Sequence, residues 1–138
     1  MSKLSELKKH TVVVADTGDI NSIERFTPRD TTTNPSLLAT AATMPAYSDL
    51  VDTALRDAKN DLGAGADRAA LIAHSIDRLS VAFGKRILDI VPGRVSTEVD
   101  ARLSFDTEGT IKRAHKLIGM YEAAGIPKKR ILIKIAST

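Results

Sequence analysis

Among the residues that could do chemistry in this sequence, one lysine stands out. Lys134 interrupts an otherwise apolar segment, residues 131–136. Burying an ammonium group is costly unless it is paired or deprotonated. Desolvation and neighbouring cations lower the pKa of a lysine, and the free amine is then a nucleophile for carbonyl groups. Two interpretations follow: a lysine that forms a Schiff base, or an edge-strand lysine whose head group reaches water.

Polar residues also end the other extended segments of the chain. Asp16 ends a β-branched run and is either a general base for a substrate hydroxyl or a turn former. In Ser96-Thr97-Glu98, strand alternation places Ser96 and Glu98 on one face, and an ordinary core would not tolerate that polar pair. Thr33 and Asn34 offer neutral hydrogen bonds of the kind that orient sugar hydroxyls.

Other candidate residues carry a weaker signal. His10, His74 and His115 are expected at the surface or in helix packing rather than in a site. Ser137 and Thr138 follow the lysine and are either ligand contacts or the end of the chain. The sequence has no spacing typical of metal ligands, and it predicts neither a metal nor a cofactor.

Alternation of strand and helix patterns places these residues in an α/β fold. Strands are predicted at residues 11–16, 30–33, 93–99 and 131–136. Helices are predicted from Asp19 to Arg25, from Asn34-Pro35, from Tyr47 to about Leu62, from Asp67 to about Ile90, and from Asp106 to a stop at Gly125-Ile126-Pro127. The inward face of the last helix is predicted to be Ile111, Leu117, Ile118 and Tyr121. This order implies a parallel sheet, whose C-terminal strand edge binds ligands.

Composition and charge exclude several classes of protein. The 138 residues are 27% charged and 43% hydrophobic, which suits a single globular domain. There is no cysteine, no apolar run of roughly 18 residues and no signal-peptide pattern, so we expect a cytoplasmic protein without membrane contact. The net charge is only +3, and the clusters Lys8-Lys9-His10 and Lys128-Lys129-Arg130 are expected on solvated faces or helix ends rather than on nucleic acid.

Four segments together resemble transaldolase, in its larger bacterial and eukaryotic type. They are residues 14–19, 32–37, 91–104 and 130–138, and they match in order and at similar separations. The resemblance implies a TIM-type (β/α)8 barrel and a cofactor-free reaction of the pentose phosphate pathway. In that reaction a dihydroxyacetone unit moves from sedoheptulose 7-phosphate to glyceraldehyde 3-phosphate.

The resemblance also implies roles for individual residues. Lys134 matches the lysine that forms the Schiff base, and Asp16 matches the acid that takes the proton from the C4 hydroxyl. Glu98 matches the acid that works through a water in forming and hydrolysing the imine. Asn34 matches the residue that holds a dihydroxyacetone hydroxyl, with Thr33 and Ser96 in supporting positions. The expected partners are therefore sugar phosphates.

The length of the chain departs from this family. A barrel needs roughly 200 residues or more, so residues 1–138 are expected to form one truncated domain, about half a barrel with about four parallel strands. The family's phosphate-binding arginines belong to the other half. Open strand edges and an uncovered interior favour a homo-oligomer. The alternative to an active transaldolase is a truncated, impaired or inactive fragment of one that acts only by self-association.

Overall fold

The computed structural model describes residues 2–136, which form a four-stranded parallel sheet flanked by helices. The strands are β1 (Val14–Asp16), β2 (Asp30–Thr32), β3 (Val95–Glu98) and β4 (Ile131–Lys134), and their order in the sheet is their order in the chain. All neighbouring strands are parallel. The predicted α/β fold with four parallel strands is confirmed, although each strand is shorter than its predicted segment. Ser137 and Thr138 lie outside the described residues.

In the part of the chain that the structure describes, six α-helices connect or precede the strands. They are α1 (Lys3–Leu7), α2 (Ile20–Phe26), α3 (Pro35–Ala42), α4 (Ser48–Leu62), α5 (Arg68–Leu88) and α6 (Thr107–Ala123), with short 3₁₀ turns at Pro45–Tyr47, Ala101–Leu103 and Lys128–Arg130. As the sequence predicts, Asp19 and Asn34 cap α2 and α3 through side-chain oxygens. The sequence pattern did not predict α1 or the 3₁₀ turns. Within residues 2–136, no helix is long and apolar enough to span a bilayer.

Helices cover one face of the sheet and leave the other open. Along β3, Val95 and Thr97 are buried, whereas Ser96 and Glu98 are partly exposed. The covered face belongs to the hydrophobic core, which includes Phe83, Ile87, Leu117 and Tyr121 from α5 and α6. On the open face, Val14 and Leu132 keep 49% and 42% of their surface exposed. Two apolar side chains in the sheet are therefore in contact with solvent.

The predicted inward face of α6 was partly wrong. Leu117 and Tyr121 are buried as expected, but Ile111 is exposed. With about 100° per residue, the buried stripe through Leu117 and Tyr121 runs back through Ala114. Ile111 therefore lies on the flank of that stripe, where no other element covers it.

Side-chain hydrogen bonds to the backbone hold the N-terminal ends of the strands. Asp30 Oδ1 accepts from the Arg94 amide at 2.6 Å, between β2 and the start of β3. The Arg130 guanidinium donates to the carbonyls of Leu88, Val91 and Gly93, at the end of α5 and in the loop that leads to β3. This clamp, together with exposed Lys128 and Lys129, agrees with the prediction that the basic cluster lies at helix ends and on solvated faces.

Candidate active site

The lysine that stood out in the sequence is paired with the glutamate of the neighbouring strand. Lys134 and Glu98 are the last residues of β4 and β3 and are directly opposite each other in the register. Lys134 Nζ lies 3.1 Å from Glu98 Oε2, with 37% of the lysine side chain and 12% of the glutamate side chain exposed. The ammonium group therefore has a counter-ion at the C-terminal edge of the sheet. This counter-ion offsets the cost of placing the charge at the end of an apolar strand.

A second row of polar side chains lies one pleat below this pair. The register joins Asp16 to Thr32 and Thr32 to Ser96. Because residues two apart on a strand share a face, Asp16 and Ser96 face the same open side as Glu98 and Lys134. Asp16 is exposed and Ser96 is half-buried. One face of the sheet therefore carries an amine, two carboxylates and a hydroxyl near its C-terminal edge.

Asn34 and Thr33 lie just beyond β2, and their side chains make different hydrogen bonds. Asn34 Oδ1 accepts from the Leu37 amide at 2.8 Å as the cap of α3, which leaves the two amide N–H donors of its side chain for another group. Thr33 is buried, and its hydroxyl donates to the Ser96 carbonyl at 3.1 Å. Thr33 therefore braces the junction of β2 and β3, while Asn34 has donors to offer at the open edge.

A cavity of about 240 Å³ lies beside Glu98. Its lining residues are Pro35, Ile76, Asp77, Ser80, Glu98, Asp100, Arg102 and Arg113. The Asp77 carboxylate, almost fully buried, lies 2.6 Å from Arg113 Nη2 and 2.7 Å from Lys116 Nζ, so α5 and α6 are joined by an ion-pair network. The hydrogen bond from Arg102 holds the pKa of Asp100 below its usual value of 3.8. The acids of this cavity are thus balanced by neighbouring cations.

Sequence reasoning missed the Asp77 network, although a signal was present. Asp77 shares a helical face with Ser80, Val81 and Gly84, which are all buried in α5. An acid on the buried face of a predicted helix requires a cationic partner. Searching the other helices for a basic residue on an inward face would have pointed to Arg113.

A pair of buried hydroxyl groups lies on the other side of β3. Thr97 Oγ1 and Tyr121 Oη are 2.6 Å apart, and Tyr121 also donates to the Ser80 carbonyl at 3.3 Å. Burial raises the pKa of Tyr121 to about 12, so the phenol stays neutral under ordinary conditions. Sequence reasoning placed Tyr121 in the core but gave no role to its hydroxyl group.

The histidines lie at the surface or in helix packing, as predicted. His10 and His115 are exposed. His74 Nε2 lies 2.6 Å from Asp61 Oδ2, where α5 packs on α4. Hydrogen bonds from His74 and Arg78 lower the pKa of Asp61. Within residues 2–136, no group of three or more His, Asp or Glu side chains is arranged to hold a metal ion.

The arrangement on the open face defines a class of protein. A parallel α/β sheet presents a lysine and carboxylates at the C-terminal ends of its strands, where such folds bind ligands. An amine beside acids is suited to carbonyl chemistry. The family model described as Transaldolase/Fructose-6-phosphate aldolase matches residues 13–138. The chain belongs to this family, and its four strands are consistent with half of the family's TIM barrel.

Individual relatives agree with this assignment. Over 135 residues, 98% of this chain, it is 62% identical to the transaldolase of Trichormus variabilis. The transaldolases of Thermosynechococcus vestitus and Methylococcus capsulatus are 59% and 60% identical over the whole chain. The matched part is 41%, 35% and 43% of these three relatives, respectively, so the chain spans well under half of their length.

Proposed function

We propose that this chain carries the Schiff-base chemistry of a transaldolase, transferring a dihydroxyacetone unit from sedoheptulose 7-phosphate to glyceraldehyde 3-phosphate in the pentose phosphate pathway. The observation that carries the proposal is the pairing of Lys134 Nζ with Glu98 Oε2 at 3.1 Å on the open face of the sheet. Membership of the transaldolase family supports it. The activity is thus that of an aldehyde or ketone transferase acting on sugar phosphates.

Imine formation is assigned to the Lys134–Glu98 pair. The free amine of Lys134 attacks the C2 carbonyl of the ketose, and the resulting carbinolamine loses water to give a protonated imine. Glu98 is the acid paired with the amine, so it can accept the proton that Lys134 must release and return it to the departing hydroxyl, directly or through a water. No external oxidant or reductant is needed.

Carbon–carbon cleavage is assigned to Asp16. Its carboxylate takes the proton of the C4 hydroxyl, the C3–C4 bond breaks, and the bond electrons flow into the protonated imine to form an enamine. Erythrose 4-phosphate leaves, the enamine adds to glyceraldehyde 3-phosphate, and hydrolysis releases fructose 6-phosphate. Asn34 is assigned to a dihydroxyacetone hydroxyl through its amide N–H donors, with Ser96 and Thr33 in support.

The test is borohydride trapping of the imine. The chain is incubated with fructose 6-phosphate, reduced with borohydride, and digested for peptide mass spectrometry. A reduced adduct on the peptide that contains Lys134 is expected in the native sequence and absent in Lys134→Met. Lys129→Met is the matched control, because it removes an exposed lysine five residues away and should trap normally.

Two results would contradict the proposal. One is the absence of any adduct in the native sequence, and the other is an adduct that survives in Lys134→Met. Trapping reports imine formation alone, so transfer is measured separately, with erythrose 4-phosphate release from sedoheptulose 7-phosphate followed in a coupled assay.

A second candidate function follows from the length of the match. The chain spans 35% to 43% of these three relatives, and the family resemblance implies that the phosphate-binding arginines belong to the part that is not matched. Binding energy at the phosphate is what positions a reacting carbonyl. In this alternative the chain is an impaired or inactive transaldolase half that acts only by association. Trapping without transfer indicates an impaired enzyme. The absence of both trapping and transfer indicates an inactive one.

We further propose that copies of the chain associate through the open sheet. β1 and β4 are the edge strands, and edge strands offer backbone groups to a further strand. Val14 on β1 and Leu132 on β4 expose apolar surface beside those edges. In a symmetric dimer, β4 of one copy pairs with β1 of the other at both junctions, which closes an eight-stranded barrel.

Light scattering after size-exclusion chromatography tests the association. A dimer is expected at micromolar concentration, and Val14→Lys should shift the chain toward the monomer. Phe105→Lys is the control, because Phe105 is 92% exposed but lies outside the sheet. A monomeric native chain, or dissociation by Phe105→Lys alone, would contradict this mode of association.

A further inference from the structure

We infer that Tyr121 is a positioning residue for the Glu98–Lys134 pair, acting through the hydrogen bond between its hydroxyl group and Thr97. The inference rests on the function proposed above and adds a residue on the covered face of the sheet to its site. Tyr121 is fully buried on α6, and its Oη lies 2.6 Å from Thr97 Oγ1. Neither side chain faces the open side of the sheet.

The position of this hydrogen bond in β3 explains how it can act on the Glu98–Lys134 pair. Thr97 directly precedes Glu98, and its register partner Ile133 directly precedes Lys134. Because successive side chains of a strand point to opposite faces, fixing Thr97 against α6 also fixes the direction in which Glu98 leaves the strand. The Val99 amide donates to the Lys134 carbonyl at 2.9 Å, so the end of β4 follows the end of β3.

Close packing of α5 holds the tyrosine hydroxyl in place. Tyr121 Oη also donates to the Ser80 carbonyl of α5 at 3.3 Å. A Cβ atom at Gly84 on the same helix would lie only 1.9 Å from that oxygen, so a glycine is required for this approach. The hydroxyl group is therefore fixed between α5, α6 and β3, and it ties the covering helices to the strand that carries Glu98.

Apolar packing alone does not account for this pair. Phenylalanine and valine would fill nearly the same volumes as Tyr121 and Thr97 without placing two hydroxyl groups in the core, where polar groups are costly. A hydrogen bond has a preferred direction that van der Waals contact lacks, so it restrains rotation of the strand about its own axis. Such a restraint is useful at Thr97, because the carboxylate of the neighbouring Glu98 lies 3.1 Å from Lys134 Nζ.

The test compares Tyr121→Phe with Tyr47→Phe. Both remove one hydroxyl from a buried tyrosine, but the Tyr47 hydroxyl accepts from the Ile20 amide and donates to Asp19, at the start of α2. The readout is the pH profile of the rate of borohydride-trapped adduct formation with fructose 6-phosphate. For Tyr121→Phe we expect a rate lower by about ten- to a hundredfold and a displaced profile. For Tyr47→Phe we expect the native profile despite lower stability.

A displaced profile reports the position of Glu98 because its charged neighbours do not change. Lys134 faces Glu98 from β4, Asp77 and Arg113 face the same cavity from α5 and α6, and Asp100 and Arg102 face it from the following turn. On the open face, Asp16 lies one row below. The phenol itself does not titrate in the range measured, since its pKa is about 12.

Failure of this inference is distinguishable from failure of the proposed function. If the native chain traps the imine and Tyr121→Phe has the same rate and profile, the inference is overturned. If the native chain traps nothing, the proposed function fails, and ¹³C NMR titration of the Glu98 carboxyl, assigned with Glu98→Gln, decides the inference. A changed midpoint in Tyr121→Phe supports positioning, and an unchanged midpoint overturns it. Thr97→Val removes the same bond should Tyr121→Phe not fold, and Thr97→Ser should restore native behaviour.

Discussion

The two ends of the sheet are built on different principles. At the N-terminal end, charged side chains bind backbone groups: Asp30 accepts from the Arg94 amide, and Arg130 donates to three carbonyls. At the C-terminal end, charged side chains face one another or the open side, with Glu98 and Lys134 as a pair and Asp16 exposed. The first arrangement closes the fold, whereas the second keeps polar groups available.

On the function proposed above, this difference separates stability from chemistry within a single short sheet. In parallel barrels the N-terminal face serves stability and the C-terminal face binds ligands. Groups held ready for a substrate stabilise the empty protein little, because their best partners are absent. Changes at the N-terminal end should therefore alter unfolding more than chemistry, and changes at the C-terminal end should do the reverse.

The largest loss of stability is expected from Gly93→Ala at the N-terminal end. An added Cβ would lie 1.9 Å from Asp30 Oδ1 and 2.5 Å from the Arg29 carbonyl oxygen. The backbone must shift, and the Asp30–Arg94 hydrogen bond is lost. We expect the free energy of unfolding, measured by urea titration, to fall by about 3 kcal/mol.

Gly119→Ala is the matched control for this substitution. Beyond its chain neighbours and the backbone of its own helix, a Cβ placed at Gly119, an exposed position of α6, would have no atom within 4 Å. Alanine there should raise stability by about 0.5–1 kcal/mol, because it is the better helix former. Equal losses in the two variants would show that the close approach at Gly93 has no special cost.

A somewhat smaller effect is expected from Arg130→Ala. The substitution removes donors from the carbonyls of Leu88, Val91 and Gly93, which leaves the end of α5 without its cationic cap. We expect a loss of about 2–3 kcal/mol in urea unfolding. Lys129→Ala, one residue away and exposed, should stay within about 0.5 kcal/mol of the native chain. A loss of stability in Lys129→Ala but not in Arg130→Ala would show that the hydrogen bonds of Arg130 do not stabilise this end of the sheet.

At the C-terminal end, Glu98→Gln should affect imine trapping more than stability. The amide keeps the size of the side chain but removes the charge that faces Lys134. We expect stability to change by less than about 1 kcal/mol, because the lysine is partly exposed and reaches water. Imine trapping should slow by about a hundredfold, as expected for loss of a general acid–base group. A stability loss as large as that of Gly93→Ala would remove the distinction between the two ends.

Much of the fold could be predicted from local sequence signals. Asp19 and Asn34 were predicted as helix caps because capping depends on neighbours two or three residues away. Lys134 drew attention because a cation in an apolar strand conflicts with its immediate surroundings. Ile111 was misplaced because helical spacing alone does not show how wide the covered stripe of α6 is.

The parts of the site that were not predicted from the sequence depend on distant pairs. The contact between Asp77 and Arg113 joins two helices, and the contact between Thr97 and Tyr121 joins a strand to a helix. In the second pair neither residue reveals the other, because threonine is ordinary in a strand and tyrosine is ordinary on an apolar helix face. The pairing of Lys134 with Glu98 likewise depends on the register of β3 and β4, which a single sequence does not fix.

The smallest effect is expected at Asp19, an acid near the C-terminal end of β1 whose carboxylate caps α2. Hydrogen bonds from Ser22, Tyr47 and the backbone lower its pKa below 3.8. Such a carboxylate stabilises the fold above its unfolded pKa, and that contribution is lost as pH falls through the lower folded value. Asp19→Asn keeps an oxygen that can cap α2 but removes this titration. It should flatten the decline of unfolding free energy below about pH 4 and leave imine trapping intact, whereas Asp16→Asn, three residues earlier, should abolish transfer. If Asp19→Asn removes transfer as well, the C-terminal end does not separate structural acids from chemical ones.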